Sequence, residues 1–399
     1  MISKVLKNNL CLGCGACESS FGKNKIELSM DDKGYLRPEQ HEDLSNEERD
    51  LFGKICPGIN AKHEDLQNYH PLWGPILSIK SGFSTDKTIR RVGSSGGVLT
   101  ALASYLLEQK KVDCILQIGA SKKQPYINED KLSYTSKEVL SNAGSRYAPS
   151  ATLINIRAIV DKHDSIAVIG KPCDIVGVRN IIKTTPSLKK KIKFLLSFMC
   201  AGVPSQNATK KIIEKFNVKQ DEVSSLKYRG DGWPGYFKIY DKSGATHKMS
   251  YNESWGTILN KELQFRCKVC ADGTGEFADI TCADAWKTTE KGYPSFQERE
   301  GESLIIARNS NGYNLLKQAI NAGYVGISRE NISTAEVSKM QPYQKLRKQN
   351  LLPRLAALKL FGKAVPRYNY KQLFVASTRE NPLRLLKNFV GMIKRLSRA

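Results

Sequence analysis

Eight of the ten cysteines in this 399-residue chain fall into two groups of four, and thiolates grouped in this way bind soft metals. Cys11, Cys14 and Cys17 stand two residues apart in Cys11-Leu-Gly-Cys14-Gly-Ala-Cys17, and Cys56-Pro57-Gly58 adds a fourth thiol further on. Consecutive x2 spacings closed by a remote Cys-Pro make the bacterial 4Fe–4S ligand pattern. Small residues between the thiols let a tight loop wrap a cubane and aim backbone N–H groups at its sulfides. Proline after the last ligand turns the chain away without presenting a donor of its own. Four thiolates also suit structural zinc, but this spacing favours iron and sulfide. A disulfide framework is disfavoured in a long chain that reaches its first cysteine by position 11 and leaves no room for a secretory leader.

Cys173, Cys200, Cys267 and Cys270 form the second group. Only Cys267-Lys-Val-Cys270 has metal-ligand spacing, and Cys173 and Cys200 read equally well as small buried hydrophobes. Both nevertheless sit at turn signals, Lys171-Pro172 before Cys173 and Ala201-Gly202 after Cys200. A different chemistry is suggested by Gly93-Ser94-Ser95-Gly96-Gly97, which opens an apolar stretch. Free N–H groups and the positive end of a helix dipole there would receive a pyrophosphate. Gly93, Gly96 and Gly97 would allow close backbone approach, while Ser94 and Ser95 would add hydroxyl donors. It is not a G-x-G-x-x-G fingerprint, and a plain helix-start turn accounts for it equally well. The five histidines (41, 63, 70, 163 and 247) show no ligand or nucleophile pairing.

These residues need elements to hold them. Gly34–Pro38 reads as a turn into a short strand, Glu39–Asp50 as a solvated helix and His70–Pro75 as a linker. Ile76–Ser81 reads as a strand. Val98, Leu99, Leu102, Leu106 and Leu107 recur with helical period and predict a helix over Val98–Glu108. Cys114–Ile118, Ile166–Ile169 and Phe194–Phe198 read as buried strands, and Gln206–Phe216 as a helix. Tyr228–Asp284 is turn-rich, and Leu304–Ala307 and Asn314–Ala322 make a strand and a helix. Two strands therefore run straight into Cys173 and Cys200, which fits a site at the carboxyl ends of a sheet.

The composition, 40% hydrophobic and 25% charged, is that of an ordinary soluble protein, and no apolar run is long enough for a spanning helix. Reduced thiols without a leader imply the cytoplasm. The net charge of +23 is uneven: Val337–Ala399 holds fifteen Lys/Arg against one Glu. No nucleic-acid motif accompanies it, so an acidic protein or anionic lipid is the expected partner and nucleic acid is not. Pro382–Arg398 reads as a basic amphipathic helix, with Leu385, Leu386, Phe389, Ile393 and Leu396 on one face and Arg384, Lys387, Lys394, Arg395 and Arg398 supplying charge. It would lie peripherally on the inner face of a membrane, or pack on the protein's own core or an acidic partner. Pro353, Pro366 and Pro382 suggest a tail broken into short pieces, a peripheral appendage.

Several segments together resemble the family of coenzyme F420 hydrogenase/dehydrogenase beta subunits, a family that includes hydroxymethyl-chlorophyll reductase-like proteins. They are Gly93–Ala101, Ala143-Gly-Ser145-Arg146-Tyr147, Gly170-Lys171-Pro-Cys173-Asp-Ile175, Phe198–Gly202, Tyr228–Gly235, Cys267–Asp272 and Ala278–Ile280. The likeness runs from residue 1 to about 325. It implies an α+β or α/β fold with a ferredoxin-like 4Fe–4S domain (1–72) and a mixed α/β flavin- and cluster-binding domain (73–330), to which the basic tail adds a helical extension (331–399). It also implies FAD, and a second 4Fe–4S cluster on Cys173, Cys200, Cys267 and Cys270, with Cys114 and Cys282 only packing. Flavin would be held by Gly93–Gly97, Ser145, Arg146 and Tyr147. Arg146 and Lys171 are candidates for flavin phosphate or for stabilising anionic reduced flavin, against an ordinary reading as surface charge. Lys171, Asp231 and Trp233 are the catalytic candidates, the latter two against a reading as a structural turn with a packed Trp.

The function expected is an iron–sulfur flavoprotein oxidoreductase. It would carry electrons between a ferredoxin-like donor, two clusters, FAD and a small-molecule acceptor, either the deazaflavin coenzyme or another compound. Stand-alone bacterial members of this size are associated with surface-polysaccharide biosynthesis, which would make a sugar the acceptor. The alternative is an electron-transfer subunit of a larger oxidoreductase, with no substrate of its own.

Overall fold

The computed structural model describes residues 1–289 and 293–397. Helices α1 (Ile2–Lys7) and α2 (Ala16–Phe21) flank the first cysteine loop, and strands β1 (Ile26–Met30) and β2 (Leu36–Gln40) pair antiparallel. Helix α3 (Asn46–Ile55) follows. The single helix expected over Glu39–Asp50 is thus divided. Pairing with β1 draws Glu39 and Gln40 into a strand, and a capping box between Ser45 and Glu48 starts the helix at Asn46. His70–Pro75 is no loose linker either. Strands β3 (Tyr69–His70) and β4 (Gly74–Pro75) form a hairpin that buries Leu72 and Trp73.

The central sheet starts with β5 (Ser78–Ser84). Helices α4 (Lys87–Val92) and α5 (Val98–Glu108) follow it, then the antiparallel pair β6 (Cys114–Ala120) and β7 (Asn128–Ser133). Helices α6 (Ser136–Ser141) and α7 (Ile156–Lys162) lead to β8 (Ile166–Gly170), α8 (Pro172–Thr184), β9 (Ile192–Phe198) and α9 (Gln206–Lys215). The region that reads as turns holds a separate antiparallel sheet, β10 (Val223–Lys227), β11 (Tyr236–Asp241) and β12 (Thr246–Ser250), and the short helix α10 (Phe265–Lys268). Strands β13 (Ile280–Asp284) and β14 (Ser303–Ala307), helix α11 (Ser310–Asn321) and strand β15 (Val325–Arg329) complete the large sheet. Its order is β15-β5-β14-β13-β9-β8-β6-β7, with β5, β13, β9, β8 and β6 running in one direction.

Both faces of this sheet are covered, which is why its inner strands read as unbroken apolar runs. Ile115, Ala167, Leu196 and Ile305 face a core shared with α5 and α11. Cys114, Leu116, Ile166, Val168 and Leu195 face the opposite core, where α7, α8, the N-terminal unit and the C-terminal helices meet.

Those C-terminal helices are α12 (Thr334–Met340), α13 (Pro342–Gln349), α14 (Leu351–Leu360), α15 (Tyr370–Ser377) and α16 (Pro382–Leu396). They are not the appendage the prolines suggested. Pro353 and Pro382 fall in the first turns of α14 and α16, where a missing N–H breaks no helical bond. Leu351, Leu355, Leu358, Tyr368, Leu373 and Met392 share a core with the N-terminal unit. The apolar face expected of α16 is divided: Phe389, Ile393 and Leu396 pack on that core, whereas Leu386 is exposed with Leu383 and Val390. Arg398 lies outside the described residues. No described helix is long and apolar enough to cross a membrane.

A buried ionic group ties this tail to the rest. Lys348 Nζ donates to Glu276 Oε1, Tyr69 Oη donates to Glu276 Oε2 at 2.6 Å, and His63 Nε2 lies 3.3 Å from the same oxygen, its ring stacked on Phe277. Burial alone would raise the Glu276 pKa, but Lys348 and His63 hold it well below the usual carboxylate range. A depressed carboxylate contributes stability above its unfolded pKa of about 4.3, and that contribution is lost as pH falls through the folded value. Lys348→Met leaves the buried carboxylate short of its cation. The expected cost is about 3–5 kcal/mol at pH 7, and the gap from wild type should narrow on acidification as Glu276 takes up a proton. Thermal melts of both proteins across the pH range from neutral to acid check this.

Candidate functional site

Cys11, Cys14, Cys17 and Cys56 come together around one enclosed cavity of ≈ 30 Å³. The loop can turn this tightly because Gly13 and Gly15 hold φ of 66° and 85°, and a Cβ on Gly15 would sit 2.7 Å from the Ile154 backbone. The Gly13 N–H donates to Cys11 Sγ at 3.4 Å, and Leu153 N–H to the Cys14 carbonyl at 2.9 Å. Burial pushes all four thiols up, Cys56 to about 12. Neighbouring thiols push Cys14, Cys17 and Cys56 the same way.

The second group is assembled from distant segments. Cys173 follows Pro172 in the first turn of α8, Cys200 follows β9, and Cys267 and Cys270 lie in and just after α10. Burial again raises the thiols of Cys173, Cys200 and Cys270, Cys200 to about 12, and the group members repel one another. The Val203 N–H donates to Cys267 Sγ at 3.4 Å. Cys114 is buried in β6, and Cys282, buried in β13, borders the cleft described next.

Two buried cations lie between the groups. Arg266 donates to Gly58 O at 3.0 Å and Pro57 O at 3.4 Å, beside Cys56, and precedes Cys267 in sequence. Lys171 Nζ donates to Ser150 Oγ at 2.6 Å and Asp174 Oδ2 at 2.8 Å, next to Cys173. Burial opposes the Lys171 charge, but Asp174 and then the Cys173 thiol outweigh it and raise its pKa.

A cleft of ≈ 660 Å³ opens at the carboxyl ends of β6, β8, β9 and β13, touching Gly170, Cys200 and Asp284. Gly93, Ser94, Ser95, Gly97, Ser145, Arg146, Tyr147 and Lys171 all border it. Helix α5 starts from Gly97, at φ 74°, with no side-chain cap. Gly96 does not border the cleft. A Cβ there would meet Gly82 O and Ser303 N, each at 2.7 Å, so its smallness serves the packing of the turn on the sheet. The Ser95 hydroxyl is engaged by Glu302 O at 2.9 Å, and Ser94 Oγ accepts from the Ser145 N–H. The Arg146 guanidinium donates to Asn128 and to the Pro125 carbonyl, which fixes it in the wall. The Tyr147 ring lies tilted at 48° against Trp255, with centroids 4.8 Å apart.

Two candidates lie elsewhere. Asp231 is held by Lys227 Nζ at 3.0 Å and Lys238 Nζ at 3.2 Å on the small sheet and does not border the cleft. Trp233 is buried behind the wall, stacked on Trp286 at 4.9 Å, with its Nε1 donating to Asp284 Oδ1 at 2.6 Å. Their neighbours form the wall instead. Arg229 grips Asp284 bidentately at 2.9 and 3.0 Å, under the aromatic rings of Tyr251 and Trp286. Asp284 had a usable signal, an acid at a strand's carboxyl end, the same position that marks Cys200.

Comparison with known proteins agrees with this architecture. The profiles of the coenzyme F420 hydrogenase/dehydrogenase beta subunit match residues 79–156 (its N-terminal part) and 163–332 (its C terminus). The chain belongs to this family. The coenzyme F420 hydrogenase subunit beta of Methanothermobacter thermautotrophicus is 26% identical over 257 residues, 63% of this chain and 83% of that protein. The F420-dependent formate dehydrogenase subunit beta of Methanocaldococcus jannaschii is 26% identical over 288 residues, covering 70% of this chain and 71% of that protein. A chain of the F420-reducing [NiFe] hydrogenase complex from Methanosarcina barkeri shares the fold, with a TM-score of 0.59 at 22% identity over 75% of this chain and 98% of that one.

The packing at Gly96 generates a prediction. Gly96→Val should cost about 3 kcal/mol or more through backbone displacement and lower the melting temperature of protein with and without added flavin alike. Equal melting of variant and wild type would contradict it.

Proposed function

We propose that the protein is an iron–sulfur flavoprotein oxidoreductase that moves electrons between a redox partner protein and a small-molecule acceptor. The observation that carries this reading is the adjacency of three features: one cysteine group, the second group next to it by way of Arg266 and Lys171, and the cleft that the second group reaches through Cys200.

The donor sets suit 4Fe–4S clusters. Each offers four thiols, one buried and three half-buried, and N–H groups reach the Cys11 and Cys267 sulfurs. A four-iron cluster gives each thiolate of such a set its own iron. Cys11, Cys14, Cys17 and Cys56 would hold one cluster; Cys173, Cys200, Cys267 and Cys270 would hold the other. The cleft suits FAD in size and in the uncapped start of α5, with Gly93, Ser94, Gly97, Ser145 and Tyr147 at hand. Bound flavin would supply the exchange between single electrons and pairs. The chain's own part is to keep water from the cleft with the Tyr147, Tyr251 and Trp286 rings and to hold Lys171 as a cation beside it. The acceptor we favour is the deazaflavin coenzyme named in the relatives, with a sugar derivative second.

A second reading has its own support: the relatives are named as subunits, and one is part of a multi-subunit complex. The protein would then dock on a larger oxidoreductase and show no turnover alone. The exposed Leu383, Leu386 and Val390 of α16, interspersed with Arg384 and Lys387, would serve such docking or a membrane surface.

Anaerobically purified protein is expected to carry about eight iron and eight sulfide per chain with one FAD. Cys14→Ser should halve the iron and leave the flavin bound. Zinc in place of iron, or flavin absent at full iron loading, would sink the proposal.

A further inference from the structure

Residues 333–399 lie beyond the matched family spans, yet they reach the second cysteine group. Arg347 on α13 is 7% exposed and donates from Nη1 to the Cys200 carbonyl at 2.8 Å and from Nη2 to the Cys267 carbonyl at 2.7 Å. Gln344, one turn earlier, donates to the same Cys200 carbonyl at 3.1 Å. The fit needs Gly273: a Cβ there would lie 3.0 Å from Arg347 Nη1 and 3.1 Å from Cys200 O. One rigid fork thus joins the turn after β9 to helix α10, fixing two of the three thiol-bearing segments against each other.

The charge of this fork has no ordinary counter-ion. Among the described residues no carboxylate lies within ion-pair distance of Arg347, although a buried cation is costly without one. Lys268 and Arg354 stand nearby and add positive charge. Burial opposes its charge, and the groups that favour it are the Cys270 sulfur, then the Tyr343 hydroxyl, then the Cys267 and Cys200 sulfurs.

We infer that Arg347 is a positioning residue that raises the reduction potential of the cluster on Cys173, Cys200, Cys267 and Cys270. This rests on the two-cluster reading above. A 4Fe–4S centre with four thiolates is anionic and gains one more negative charge on reduction, so a fixed buried cation favours the reduced form. The C-terminal extension thereby makes the second cluster easier to reduce than it would be without Arg347, next to the cleft where the electrons are used. Pro342, Tyr343 and Gln344 at the start of the same helix line that cleft, so one helix borders acceptor and cluster together.

The test uses the full-length holoprotein, reconstituted anaerobically, as wild type, Arg347→Lys and Arg347→Gln. Redox titration followed by electron paramagnetic resonance gives the midpoint of each cluster, the first being the signal lost in Cys14→Ser. Arg347→Gln keeps donors but drops the charge. At the wild-type midpoint of the second cluster, its reduced-to-oxidised ratio should fall about tenfold, equivalent to 59 mV for a one-electron couple. Arg347→Lys should restore most of that ratio, and the first cluster should not move. An unchanged second midpoint in a Gln variant with full iron content would overturn the inference. So would equal shifts in the Lys and Gln variants, or loss of the second cluster from both, since these would make Arg347 a structural clamp alone. Wild-type protein with only one cluster would instead refute the two-cluster reading itself.

Discussion

Sulfur taken out of water is the condition the rest of the molecule answers to. Two groups of four buried or half-buried thiols lie within one chain, and loss of water drives the pKa of all four in the first group and of Cys173, Cys200 and Cys270 in the second upward. Thiolates in such surroundings are stable only when metal and fixed dipoles replace the lost water. N–H groups at Cys11 and Cys267, and the buried cations Lys171, Arg266 and Arg347, are the compensation that the protein itself supplies. Removing any one of these leaves polar groups that the surrounding apolar core cannot satisfy.

The sheet makes this concentration of sulfur possible. Strands β8 and β9 are parallel neighbours, so the turns that follow them emerge side by side and carry Cys173 and Cys200 to one place. The same edge carries Asp284 from β13 and opens the cleft. An open α/β sheet gathers its loops at its carboxyl ends for topological reasons, and ligand sites form there. The N-terminal unit is pressed on one face of this sheet through α7 and α8, which brings the first cysteine loop against Leu153 and Ile154 and hence close to Lys171.

Charge in the C-terminal helices works at two levels. On the outside, Lys and Arg of α16 surround an exposed apolar strip formed by Leu383, Leu386 and Val390. Inside, Arg347 and Lys348 are almost fully buried, one on ligand carbonyls and the other on Glu276. Burial of these two long side chains anchors five helices to the body of the protein. The apolar stretch Leu351–Leu358 then completes the core beneath the first cysteine group.

Local pattern alone determined a good deal. Cys11-Leu-Gly-Cys14-Gly-Ala-Cys17 with Cys56-Pro57 shows four thiols that meet around one cavity, because most of its spacing is a local chain property, and the period of Val98–Glu108 marks α5 to the residue. The runs at Ile166 and Phe194 show as strands because both their faces are buried. The small sheet β10–β12 was hidden by glycine turns and polar alternation. Within Tyr228–Gly235 it is Arg229, and not Asp231 or Trp233, that borders the cleft, and only the pairing with Asp284, far along the chain, shows it. Tertiary structure alone decided that Cys173, Cys200, Cys267 and Cys270 are neighbours, that Gly96 serves packing, and that a basic tail has a buried side. Each of these depends on partners distant in sequence, and strand order brings such partners together without leaving a period or spacing in the chain to announce it.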